Sequence, residues 1–194
     1  MTRGSPCSVL LLFLLASCSR PPLTGPAAHP WASFPAGTWI ELRFTLGGRE
    51  WVERWDLVSK DEHVVRLRLT VDGKSNDQQL AVTEAAWTEK GDDTLRLAGR
   101  DFRCRRQERD GEKRWMSGDL PAWPVREVSA EGATELVAVN ETVDGRPCMV
   151  FETRLADGGK MRRWKSLAVP GHVAREVRQT EAGDARVDLV RVGP

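Results

Sequence analysis

The chain has 194 residues, with 29 lysines and arginines against 28 aspartates and glutamates, for a formal charge of +1. That balance excludes a protein held to nucleic acid, or to an anionic membrane, by a basic field. With 40% hydrophobic and 29% charged residues it is globular rather than disordered, and its length suits one domain with a sizeable core.

At the N-terminus, Arg3 precedes the apolar run Val9–Leu15, which is too short to cross a bilayer as a helix. Residues 1–17 therefore read as a signal peptide. The run closes on Leu15-Ala16-Ser17-Cys18, which resembles the lipobox of bacterial lipoproteins, L-[AS]-[GAS]-C. The resemblance implies cleavage before Cys18, lipidation of that cysteine and a membrane tether. Ser19 in the next position resembles an outer-membrane destination, on the periplasmic side, in a Gram-negative cell. The alternative is an ordinary secretory signal that happens to contain Cys18. The leader carries Arg3 as its sole charge, so the rest of the chain is formally neutral.

Residues 18–37 contain Pro21, Pro22, Pro26, Pro30 and Pro35 with no apolar periodicity, a composition that favours an extended spacer. The folded domain is expected over residues 38–194. Ile40, Leu42, Phe44 and Leu46 alternate with polar residues, Gly47-Gly48 turns the chain, and Trp51–Ser59 returns as a hairpin partner. Val65, Leu67, Leu69 and Val71 form a third strand, broken by Asp72-Gly73. Lys74–Gln79 is polar throughout and reads as a loop, and Thr83–Lys90 as one short capped helix. From Thr94 the rhythm of strand and turn resumes. The expected class is all-β: a long antiparallel meander curled into a half-barrel or open barrel.

An internal repeat stands out. Trp115-x-Ser117-x-x-Leu120-Pro121 recurs as Trp164-x-Ser166-x-x-Val169-Pro170, and Arg126-Glu127-Val128 as Arg175-Glu176-Val177, all 49 residues on. Two β units are expected, 99–139 and 145–193. Pro121 and Pro170 cannot be central rungs of a ladder, so each should mark a corner. Gly171 stands where a turn needs positive φ. The second copy, Trp164-Lys165-Ser166-Leu167-Ala168-Val169-Pro170-Gly171-His172-Val173, resembles the W-x-S-x-x-V-P-G-x-V element of small bacterial envelope proteins. More distantly the arrangement is similar to the curled half-barrel of LolA/LolB-like periplasmic proteins. That likeness implies a non-catalytic protein that handles acylated partners.

Candidates for chemistry are few. His29, His63 and His172 lack the spacing or cysteine company of a metal site, and His172 reads as an exposed corner residue. Ser117 and Ser166 sit outside any nucleophile motif and suit hydroxyls that bond nearby backbone at a corner. Cys104 and Cys148 remain after Cys7 and Cys18 are set aside. They are either a disulfide or two buried thiols. The basic run from Arg100 to Arg114 is interleaved with acids and reads as ion pairs on a solvated hairpin, the alternative being contact with anionic headgroups. Trp51 and Trp55 share one strand face with Glu53 between them, and with Trp115 and Trp164 are the candidate lining of an apolar pocket.

The expected function is a non-enzymatic, membrane-tethered envelope lipoprotein that binds an apolar or acyl ligand or a partner protein, with no cofactor and no nucleic acid. A structural or protein-interaction module without a ligand is the alternative. A hydrolase with an unrecognised site ranks last.

Overall fold

The computed structural model describes residues 29–82, 86–120, 122–180 and 183–194. Cys18, Thr83 and Pro121 lie outside them. The described residues contain strands and turns and no helix, so the short helix expected near residue 83 does not form in its described part, where Thr88 already begins a strand. In chain order the strands are β1 (Trp39–Leu46), β2 (Arg49–Lys60), β3 (Val64–Val71), β4 (Lys74–Ala81), β5 (Thr88–Leu97), β6 (Arg100–Arg109) and β7 (Glu112–Ser117). They continue with β8 (Arg126–Ser129), β9 (Gly132–Val143), β10 (Arg146–Leu155), β11 (Lys160–Lys165), β12 (Val173–Thr180) and β13 (Gly183–Gly193).

All thirteen form one antiparallel sheet in the order β4-β3-β2-β1-β13-β12-β11-β10-β9-β8-β7-β6-β5. The meander is interrupted once, where β1 pairs with β13 and joins the two ends of the chain. Hairpin turns at Asp72-Gly73, Ala98-Gly99, Asp110-Gly111 and Asp144-Gly145 place both residues at positive φ, the geometry that matches the twist of flanking strands.

The order of strands dictates the curl. Laid flat at about 4.8 Å per strand, β4 and β5 would be about 58 Å apart. They are consecutive in sequence, and the chain from Ala81 to Thr88 reaches at most about 25 Å. The sheet therefore bends until its edges approach, without pairing, into an open half-barrel.

Cross-strand pairing defines the inward face. One row runs Leu136, Phe151, Arg163, Glu176, Val187, Phe44, Trp51 through successive partners on β9 to β13, β1 and β2. The row beside it runs Leu189, Leu42, Glu53, Val71. Arg163 and Glu176 form an ion pair and hydrogen bond within the first row. A buried pair of this kind returns little net stability, because desolvation offsets the attraction.

Two places depart from the sequence reading. Lys74–Ala81 is a strand rather than a loop. It lies at the sheet's edge, where both faces meet solvent and no apolar alternation is required. Residues 29–37, read as the end of the spacer, pack into the domain instead. Trp31 is buried against Ile40, Leu57 and Val169. Backbone bonds from Gly37 to Leu57 and from Leu57 to Thr38, with Lys60 Nζ donating to the Ala32 carbonyl, fix the segment on β2.

Candidate functional site

The sequence repeat covers the spans 99–139 and 145–193. The first carries β6, β7, β8 and most of β9, the second β10 to β13. At the end of β7 the Ser117 hydroxyl accepts from the Asp119 amide at 3.3 Å, and at the end of β11 the Ser166 hydroxyl accepts from the Ala168 amide at 3.4 Å. Leu120 and Val169 donate back to the Ser117 and Ser166 carbonyls. Both serines are buried turn-formers. Pro170 is fully buried between β11 and β12, and Gly171 has φ 75, the positive value that its corner requires.

His172 overturns its expected exposure. It is buried, at φ 64, with its ring edge-on to Trp123 at 5.3 Å between centroids. Its Nδ1 has no hydrogen-bond partner. Burial, and then the charges of Lys165 and His29, hold its pKa down to about 4. His29 is also buried, its Nδ1 accepting from the Trp31 amide, and burial lowers it to about 4 as well.

Trp115 and Trp164 lie apart from Glu53, Trp115 buried in one apolar cluster with Leu136 and Phe151 and Trp164 packed against the other. Trp115 donates from Nε1 to Asp93 at 2.9 Å under the Arg126 guanidinium, and Trp164 donates to Glu141 at 2.6 Å beneath Arg162 and Arg175. These indoles brace neighbouring strands, Trp115 onto β5 and Trp164 onto β9. Cys104 and Cys148 are buried free thiols in separate apolar clusters, four strands apart, rather than a disulfide. Burial pushes the Cys104 thiol up to about 11 and raises that of Cys148.

The basic run divides. Arg105 pairs with Glu89 and Arg96 with Asp101 in solvent, as expected of a hairpin surface. Arg114 is fully buried. Its Nε donates to Gln107 at 2.8 Å, and its guanidinium lies 3.9 Å from the centroid of Trp87, which Arg109 covers at 4.3 Å. An open groove along β5 and β6 is lined by Asp92, Asp93, Arg103 and Arg105 and is polar. Among the described residues no group of three or more His, Cys, Asp or Glu side chains is placed to hold a metal.

Trp51 and Trp55 remain, and the structure brings them together around Glu53. On β2 all three point inward. Trp51 Nε1 donates to one carboxylate oxygen at 3.0 Å and Trp55 Nε1 to the other at 3.2 Å. Leu42 and Val71 flank the carboxylate across the strands, and Phe44 stacks on Trp51 with centroids 5.3 Å apart. Glu53 is 1% exposed, whereas both tryptophans are half-buried. The neighbouring base, Arg54, points the other way, over Trp39 and onto Asp56. Burial raises the Glu53 pKa, against the two indole bonds, which lower it. A carboxylate in apolar surroundings with no cation beside it is costly to ionise. Such groups cluster at functional sites.

No family model matches the chain, and no curated protein matches it in sequence. Among solved structures it is similar to MucB, with a TM-score of 0.43, 16% identity, and coverage of 98% of this chain and 59% of that one. It is also similar to the MucA/MucB complex of Pseudomonas aeruginosa, with a TM-score of 0.42, 15% identity and coverage of 80% and 50%. A DUF1329 family protein from Desulfovibrio piger gives a TM-score of 0.26 at 11% identity, covering 80% and 84%. The chain spans about half to three-fifths of the length of the MucB chains it matches.

Proposed function

We propose that the chain is an exported, non-catalytic envelope protein, tethered through a lipid on Cys18, whose half-barrel binds an apolar chain on its concave face. The observation that carries the binding half is the pair of half-buried indoles, Trp51 and Trp55, on the inward face of β2. Large rings left partly open on a curved apolar surface suit an acyl or alkyl chain. The non-catalytic half is supported by the serines and histidines. Ser117 and Ser166 are engaged in their turns, and His29 and His172 are buried in structural contacts with Trp31 and Trp123. The tether rests on the sequence of residues 15–18 alone.

Titration with N-phenyl-1-naphthylamine, a neutral apolar dye, tests the binding. Saturable enhancement of its fluorescence is expected in the folded domain, and about tenfold weaker binding in Trp51→Ala/Trp55→Ala. Absence of saturable binding, or equal binding by the double variant, would overturn the reading.

A further inference from the structure

We infer that Glu53, held between the indoles of Trp51 and Trp55, is the recognition point for a protonated primary amine at the head of the bound apolar chain. The inference rests on the binding surface proposed above and adds the chemistry of the ligand's head.

Glu53 occupies a position that the alternation of β2 assigns to an apolar residue, between Leu42 and Val71 across the strands. Its two carboxylate oxygens accept one indole N–H each. Each oxygen retains acceptor capacity, since a carboxylate offers about four lone-pair sites. A neutral core would use leucine here, and a structural ion pair would bring a cation. On the inward face nothing of the kind stands at its cross-strand neighbours, and Arg54 is committed to Asp56 on the opposite face. The missing charge is therefore one that a ligand would supply. An ammonium group offers three donors and a point charge, and it gains most where water is excluded. An anionic head would meet like charge. A chain lying across the half-buried rings of Trp51 and Trp55 brings its head to the carboxylate those rings hold.

The test compares three probes of equal chain length on the folded domain, below their micelle concentrations: decylamine, decyltrimethylammonium and decanol. Decylamine is expected to bind about tenfold more tightly than decanol. The trimethylammonium, which carries charge without N–H donors, should fall between them. Glu53→Gln, nearly equal in volume, should erase the preference for amine while leaving decanol and the neutral dye unchanged. Equal affinity for decylamine and decanol in the unaltered protein, or an amine preference that survives Glu53→Gln, would overturn the inference while the binding surface stood. Failure of decanol and the dye to bind at all would overturn both.

Discussion

Trp123 and His172 stand 49 positions apart, at matching places in the two Pro-marked corners, and their rings meet edge to face at 5.3 Å. Trp31 of the N-terminal segment joins them, its Nε1 3.2 Å from where a Cβ on Gly171 would sit.

The buried histidines make this junction sensitive to acid. His29 and His172 have pKa values lowered from 6.5 to about 4, so the folded state binds fewer protons than the unfolded one between those limits. Their contribution is fully present above pH 6.5 and is lost as pH falls toward 4, by up to about 3 kcal/mol each. Denaturant titrations at pH 7 and pH 4.5 should show this loss, and His172→Gln should reduce it. A stability that stays flat over the interval would refute the assignment.

Glu53 carries the opposite sign. Its pKa is raised, so ionisation costs stability as pH rises above the ordinary carboxylate range. Glu53→Gln should raise the melting temperature at pH 8 and leave it nearly unchanged at pH 4. A lower melting temperature at pH 8 would mean that the ionised carboxylate is stabilising.

The two Trp-x-Ser elements of the sequence repeat make the same turn bonds, so their serines should matter equally. Ser117→Ala and Ser166→Ala should each cost about 1 kcal/mol, the value of one buried hydroxyl bond. The tryptophans should differ. Trp115, 8% exposed, should cost about 3–5 kcal/mol on replacement by alanine, and the half-buried Trp164 about 2. Equal losses at the two tryptophans would contradict the burial pattern.

Cys104 and Cys148 should resist alkylation in the native protein and react fully on unfolding without a reductant, since both thiols are buried and their pKa values are raised. Two thiols that stay blocked after unfolding would reveal the disulfide that the structure lacks.

The architecture was largely legible in alternation. Ile40 to Leu46 and Val65 to Val71 announce their strands because one face of each is core. β4 was hidden because an edge strand exposed on both faces loses that signal, and Lys74–Gln79 looks like a loop. Trp31 was masked by its prolines, which signal an extended segment but not whether it packs. His172 was misjudged because burial at a corner is a tertiary property. Arg114, counted among surface bases, lies under Trp87, a contact between residues 27 apart that no local pattern reveals. At the candidate site, period two put Trp51, Glu53 and Trp55 on one face. That the carboxylate is flanked by Leu42 and Val71 depends on pairing with β1 and β3.

Anchoring through Cys18 has its own check. The unaltered protein should fractionate with membranes and show an acylated N-terminal cysteine by mass spectrometry, and Cys18→Ala should be soluble or unprocessed. An unacylated N-terminus at another residue would refute the tether.

The binding of an apolar chain on the concave face is tested most directly by quenching with bromine. A bromine-labelled stearate methyl ester, neutral in its head, should quench tryptophan emission saturably. The quenching should largely disappear in Trp51→Phe/Trp55→Phe and persist in Trp39→Phe, whose ring lies under Arg54 on the face of the sheet opposite Glu53. Quenching that survives the double substitution and vanishes in Trp39→Phe would place the chain outside the half-barrel and contradict the account.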